Sequence, residues 1–294
     1  MEKIIVILGP TSSGKSTLGI KLAKKYNGEI ISADSRQVYT GLNIGTGKVT
    51  KAEQKIVPHH LLDVASPKKQ FTVSHYKKLA TKALKDLFKK QRLPFIVGGT
   101  AFYVYALIDD IELPNAKPNA KLRKQLEQKS TAELFKQLKK LDPKRAKTID
   151  QHNSHRLIRA LEINLITGKP VPEMKKESIY DALIIGISVP QEKLYKAIDR
   201  RLEQRVKQGL VKETKKLLNS GVSIKKLENF GLEYRLASQY IQKKIDYDEM
   251  LVELKNANHH LSKRQMTWFK KDPRIKWISK QSDAEQLIKK FLQT

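Results

Sequence analysis

Short apolar runs punctuate a chain that is otherwise polar and rich in lysine. Ile4 to Leu8, Gly28 to Ala33, Leu93 to Val97 and Ala182 to Val189 are β-branched or aliphatic, and glycines or polar turns bound them. Such continuous runs predict strands buried on both faces, the signature of a parallel sheet. Between them the period lengthens to that of helices: roughly Lys15 to Tyr26, residues 72–91, and a long stretch from Gln191 to Asn219. Arg274 to Ser279 predicts a last strand, followed by a terminal helix. Strands alternating with helices make an α/β fold. Pro114 and Pro118 bound a linker, beyond which polar, lysine-rich helical patterns run to Ser178. The expected organisation is therefore a core in two parts, 1–114 and 179–294, with a helical insertion over 115–178.

The first run ends in Gly9-Pro10-Thr11-Ser12-Ser13-Gly14-Lys15-Ser16, which matches the P-loop pattern G-x-x-x-x-G-K-[ST] without a gap. Terminal glycines let the backbone curl until successive N–H groups face one concavity, and the following helix adds the positive end of its dipole. Lys15 is placed to reach a terminal phosphate and the Ser16 hydroxyl a Mg²⁺ ion. The motif refines the fold class to a P-loop NTPase-like parallel sheet core with an inserted helical subdomain. It leaves open which phosphate is held, because kinases, NTPases and diphosphate-using transferases build the same cradle.

Charge changes the picture. With 58 Lys+Arg against 30 Asp+Glu in 294 residues, the formal net charge is +28 and the pI about 10.0. A polyanionic partner such as nucleic acid accounts for this excess, and lysine-rich solvated helix faces account for it equally well. The chain has no cysteine, which excludes disulfides, thiolate metal sites and thiol redox chemistry. A strand begins within three residues of Met1 with no leader pattern before it, and no apolar run approaches the roughly 20 residues that span a bilayer. The expectation is a cytoplasmic monomer without membrane contact.

The remaining candidates sit at strand ends and in the insertion. In open α/β sheets ligands gather at the carboxyl ends of strands, so Asp34 is expected beside the P-loop. There it could hold Mg²⁺ through water, serve as a general base, or cap the next turn. Gly41 to Lys48 is glycine-rich and suits a loop around a ligand. Adjacent His59 and His60 invite a metal, but neighbours on an extended segment point to opposite faces and no carboxylate-rich motif is near. Gly98-Gly99-Thr100 would let a backbone approach a ligand and offer it a hydroxyl. Arg156 and Arg159 share a helix face that could grip a phosphate backbone or form a salt-bridged surface with Glu162. Ser262 to Lys271 mixes basic and aromatic side chains, suited to backbone contact and base stacking, with burial of Trp268 in the core as the alternative.

Taken together, these segments resemble the tRNA dimethylallyltransferase (isopentenyltransferase) family across nearly the whole chain. The P-loop, Asp34-Ser35-Arg36-Gln37-Val38-Tyr39, Gly45-Thr-Gly-Lys48, Pro58-His-His-Leu-Leu-Asp63, Val97-Gly-Gly-Thr100, His155-Arg-Leu-Ile-Arg-Ala-Leu-Glu162, Gly209-Leu210 and Lys263-Arg-Gln-Met-Thr-Trp268 follow in the family's order. The resemblance implies transfer of a dimethylallyl group from dimethylallyl diphosphate to N6 of the adenosine 3′ of the anticodon, with Mg²⁺ as cofactor. It implies that the P-loop holds the diphosphate, with Lys15 and Arg201 on its charge, Asp34 taking the N6 proton and Thr100 near the bridging oxygen. It further implies that Asp34, Ser35, Arg36, Gln37 and Thr100 meet the target base and its neighbours. Arg123, His155, Arg156 and Arg159 are implied to contact the anticodon arm, on which the insertion closes.

The chain departs from the family pattern at Ala101-Phe102, where Gly-Leu is usual and a narrower channel is expected. It departs also at His155 for Gln, at Ala197 for Arg, and at Glu233-Tyr234 in a region that often reads Gly-Tyr. An isopentenyltransferase acting on free adenine nucleotides and a small-molecule P-loop kinase are the alternatives.

Overall fold

A computed structural model describes residues 1–172 and 178–294. In chain order its elements are β1 (Lys3–Leu8), α1 (Lys15–Lys25), β2 (Gly28–Ser32), α2 (Lys51–Ile56), β3 (His59–His60), α3 (Val73–Lys89), β4 (Leu93–Gly98) and α4 (Ala101–Ile108). Then come α5 (Ala120–Leu126), α6 (Thr131–Leu141), α7 (Pro143–Thr148) and α8 (Ser154–Thr167). The last elements are β5 (Asp181–Ile187), α9 (Gln191–Lys207), α10 (Leu210–Asn219), α11 (Ile224–Asn229), α12 (Leu232–Ile241), α13 (Tyr247–Phe269), β6 (Lys276–Ile278) and α14 (Gln281–Gln293).

The strands form one parallel sheet in the order β3-β2-β4-β1-β5-β6. Strand β1 is central, with Ile5 opposite Phe95 of β4 and Leu183 of β5. Its residues Ile4 to Leu8 are fully buried, which is why the run is apolar at every position. The chain leaves β1 toward β2 on one side and later returns to β5 on the other, so the carboxyl ends of β1 and β4 flank a switch point where the sheet opens a crevice. Side chains from β1, β2, β4 and β5 close one core against α1 and α14. A second core gathers Val38, Tyr39 and Leu42 with apolar faces of α9 to α13.

Two compact units result: Met1–Asp110 with Glu177–Thr294, and Ile111–Lys176. The second has its own core, in which Leu126, Leu134, Leu138, Leu157 and Leu161 are buried. The composition change at Pro114 places the start of the insertion at 115, four residues later, and the part of it over 173–177 lies outside the described residues. Capping residues mark several helix starts, with reciprocal Thr50–Glu53, Ser130–Glu133 and Asp246–Glu249 boxes at α2, α6 and α13.

The long helix read over Gln191 to Asn219 is two helices. Gly209, with φ at +107°, ends α9 and serves as the N-cap of α10, a backbone state that other residues reach only with strain. Among the described residues, no helix is long and apolar enough to cross a membrane.

Candidate functional site

The crevice at the carboxyl ends of β1, β2 and β4 is a cavity of about 120 Å³. Thr11, Lys15 and Ser16 reach it from the P-loop, Asp34, Arg36 and Gln37 from the end of β2, and Gly98 and Gly99 from the end of β4. Helices α9 and α13 supply the opposite wall through Arg201, Arg205, Asn258, Leu261 and Gln265.

Each element is brought in by local chemistry. Ser13 N donates to Pro10 O at 3.3 Å as the P-loop turns, and the Ser13 hydroxyl is buried without a partner among the described residues. Gly98 is required because a Cβ there would lie 2.1 Å from the carbonyl oxygen of Ala33, so β2 and β4 can close together only over a glycine. That contact brings Asp34 and Thr100 side by side: Thr100 N donates to Ala33 O at 3.2 Å, and the Thr100 hydroxyl accepts from Ser35 N at 3.1 Å. Asp34 Oδ1 accepts from Arg36 N (2.8 Å) and Gln37 N (3.2 Å). Asp34 thus caps its own turn with one oxygen, while Oδ2 takes no hydrogen bond among the described residues.

The electrostatics are one-sided. Among the described residues the cavity lining carries four cations, Lys15, Arg36, Arg201 and Arg205, and two carboxylates, Asp34 and Glu233. Lys15 donates to Pro10 O at 3.1 Å, and burial, with repulsion from Arg201, lowers its pKa to about 8 despite the opposing pull of Asp34. Burial and the neighbouring Arg205 lower Arg201 to about 10. Arg205 is 7% exposed and donates to Gly45 O (3.2 Å) and Glu233 Oε1 (3.4 Å). Cations pressed together until their protons loosen form a site for an anion.

Several of these residues were not singled out from the sequence. Arg205 stands four residues after Arg201 on α9, the spacing at which two side chains share a face, and that periodicity could have found it. Gln265, inside the basic-aromatic stretch, accepts from Thr11 N at 2.8 Å and donates to Gly99 O at 3.0 Å, clasping the P-loop to the Gly98-Gly99 turn. A Cβ on Gly99 would meet that amide at 2.5 Å, so the close approach predicted at this glycine is made by Gln265. Gln37 donates to the carbonyls of Thr46 and Gly47. Phe102 is exposed on α4 and is not among the residues that line the cavity. Trp268 is 40% exposed, so it is not a core residue. His60 pairs with Glu29 at 2.7 Å and His59 with Val57 O at 2.7 Å, which accounts for both rings.

In the second unit, Glu162 is fully buried. Arg123 grips it with two bonds of 2.8 Å, Arg159 with one of 2.6 Å, and Asn119 N donates at 2.7 Å. Burial pushes the Glu162 carboxyl up, but these donors outweigh it and hold it below the ordinary range. Arg159 is thus paired with Glu162, but on a buried carboxylate in place of the solvated face. His155 and Arg156 are exposed.

A polar, cation-rich crevice on a P-loop, walled by helices and facing a carboxylate with an open oxygen, defines a phosphate-ester or diphosphate-using enzyme of the P-loop α/β class. The IPP transferase family model matches residues 37–272, and the chain belongs to that family. It is 39% identical to the tRNA dimethylallyltransferase of Anoxybacillus flavithermus over 96% of this chain and 92% of that one. The Acetivibrio thermocellus tRNA dimethylallyltransferase is 38% identical over 99% and 96%. Among solved structures, the full-length tRNA isopentenylpyrophosphate transferase of Bacillus halodurans superposes with a TM-score of 0.76 at 35% identity, covering 100% of this chain and 97% of that one. A eukaryotic dimethylallyltransferase acting on tRNA gives a TM-score of 0.80 at 25% identity, over 96% and 75%.

Proposed function

We propose that the chain transfers the dimethylallyl group of dimethylallyl diphosphate to N6 of the adenosine immediately 3′ of the anticodon in tRNA, releasing pyrophosphate. The observation that carries this reading is the excess of enclosed cations around the P-loop, opposite the open oxygen of Asp34. In the step itself, N6 attacks the allylic carbon, the carbon–oxygen bond to the diphosphate breaks, and its electron pair leaves with pyrophosphate. The N6 proton passes to Asp34 Oδ2. Capping of its turn by Oδ1 fixes the carboxylate so that Oδ2 is the free acceptor. Lys15, Arg201 and Arg205 stabilise the charge that grows on the leaving group, in a site where few waters compete. The Thr100 hydroxyl accepts from Ser35 N and donates to Ser35 Oγ at 3.5 Å, a long bond that it can exchange for the diphosphate's bridging oxygen.

Ser16 offers the cavity a hard hydroxyl oxygen, and no group of three or more His, Cys, Asp or Glu ligands occurs among the described residues. That donor set fits Mg²⁺, which takes most of its ligands from water and phosphate. When bound, the ion supplies further positive charge to the pyrophosphate oxygens. The basic composition suits a tRNA partner. Arg156 and His155 are free to reach its backbone, and Arg123 and Arg159 retain N–H groups beyond those given to Glu162. Arg36 and Gln37 at the cavity mark where the target base is received, out of its stack. The enzyme so described acts as a cytoplasmic monomer.

Mass spectrometry of nucleosides, from unmodified tRNA incubated with the protein, Mg²⁺ and dimethylallyl diphosphate, tests the reading. N6-dimethylallyladenosine is the expected product. Modification of free adenine nucleotides in preference to tRNA, or ATP-dependent phosphorylation of a small molecule, would replace it.

A further inference from the structure

Beside the cavity, the backbone of residues 43–47 is held by side chains from separate parts of the chain. Glu213 on α10 accepts successive backbone N–H groups, from Asn43 (3.0 Å) and Ile44 (2.9 Å) on Oε2 and from Gly45 (3.1 Å) on Oε1. Its Oε1 also accepts the Tyr234 hydroxyl at 2.7 Å. Converging backbone N–H groups of this kind ordinarily receive a bound anion; here the anion is the protein's own carboxylate.

The carbonyls of the same loop serve the cavity. Gly45 O accepts from Arg205 and Gly47 O from Arg201, at 3.2 and 3.3 Å. Gly47 has φ at +56°, and a Cβ on it would lie 1.8 Å from Arg205 Nη2 and 2.5 Å from Arg201 Nη2. Any side chain at 47 would therefore have to displace both guanidinium groups, so the loop packs directly on the two arginines. The break at Gly209 is what lets α10 start in a new direction from α9, so one turn of chain delivers Arg201 and Arg205 to one side of the loop and Glu213 to its N–H groups.

We propose that Glu213 is a positioning residue for the transfer reaction, acting through the loop at 43–47 to fix Arg201 and Arg205 where the diphosphate's charge falls. The inference rests on the diphosphate reading above. It treats the loop as the part that transmits the carboxylate's hold to the cations, so removing the carboxylate and removing the cation damage the same interaction. Two such changes do not add.

The test is a double-mutant cycle on the full chain, read by calorimetric titration of inorganic pyrophosphate with Mg²⁺. Glu213→Gln keeps the side chain's size but places an amide NH₂ where an acceptor stood. It should weaken pyrophosphate about tenfold, while in an Arg201→Ala background the loss should shrink to about threefold, because only the part carried by Arg205 remains. Equal losses in both backgrounds, or a lowered melting temperature with unchanged pyrophosphate affinity, would make Glu213 a fold residue only. If Glu213→Gln does not fold, Tyr234→Phe removes one donor from the same carboxylate. A loss of two- to threefold that shrinks beside Arg201→Ala is then expected, by the same coupling, and an undiminished loss there would overturn the role. Wild-type protein that binds no pyrophosphate would instead remove the diphosphate reading itself.

Discussion

Two of the clusters of enclosed charge among the described residues, around Glu162 and around the P-loop, are built on opposite terms. Around Glu162, two arginines and a backbone N–H fill a fully buried carboxylate with bonds of 2.6–2.8 Å, and the partnership raises the pKa of Arg123. Around the P-loop, Lys15, Arg201 and Arg205 lean on carbonyl oxygens at 3.1–3.3 Å, and burial with mutual repulsion lowers Lys15 and Arg201. The direction of the shift separates the two uses. In the first cluster the counter-charge is in the chain and the cations serve architecture, whereas in the second the cations lean on carbonyl oxygens and are placed for a charge brought by a ligand.

The largest effect belongs to the carboxylate that faces the second cluster. Asp34→Asn keeps shape and the turn's hydrogen bonds but cannot take the N6 proton, so turnover should drop about 10²–10⁴-fold with tRNA affinity little changed. Single-turnover transfer assays beside tRNA titrations check this, and near-normal turnover would reduce Asp34 to the cap of its turn.

The first cluster should answer in stability and not in ligand binding. Glu162→Ala leaves Arg123 and Arg159 facing each other over a cavity, and breaking such a pairing costs about 3–5 kcal/mol. Urea denaturation followed by proteolysis within 111–172 should show the loss, while pyrophosphate affinity stays as in wild type. A parallel loss of pyrophosphate affinity would erase the distinction between the clusters.

The pH dependence of the second cluster is smaller and carries a definite sign. Lys15 titrates near 8 in the fold and near 10.5 when unfolded. Below pH 8 it is protonated in both states; between 8 and 10.5 the unfolded chain binds more protons, so this group makes stability rise with pH across that window. Ligand binding runs the other way, because a bound diphosphate favours the ammonium. Above pH 8 binding must take up a proton, and affinity should fall by up to about tenfold per pH unit. Lys15→Arg stays charged throughout and should lose that dependence on calorimetric titration. The smallest effect is on the insertion's surface: Arg156→Ala should make the log–log salt dependence of tRNA binding shallower by about one unit, without loss of stability.

What could be read from the chain alone follows from how far each signal reaches. The P-loop occupies one contiguous stretch, and the buried strands announce themselves by unbroken apolar runs, so the fold class and the cluster of Lys15, Asp34 and Thr100 at strand ends were legible. The change of composition near Pro114 likewise pointed to a separate helical unit. Arg205, Glu213 and Gln265 lie in ordinary amphipathic helices, where periodicity shows which residues share a face but not which faces meet. Their roles depend on contacts spanning 160 or more residues, from α9, α10 and α13 to the loop at 43–47, the P-loop and Gly99. Gly209 was visible, yet a single glycine in a helical pattern does not by itself say that the helix breaks. Glu162 was visible too, but its burial was not, because its neighbours Arg156 and Arg159 suggested a wet face.

If the cations of the P-loop cavity are arranged for a diphosphate, calorimetric titration of dimethylallyl diphosphate and of ATP, each with Mg²⁺, should distinguish the two ligands. Dimethylallyl diphosphate should bind to wild type more tightly than ATP. Lys15→Ala should weaken it by about 1.5–3 kcal/mol, the worth of a charge-assisted bond. ATP binding more tightly, with turnover that depends on Lys15 and no detectable binding of dimethylallyl diphosphate, would contradict that arrangement.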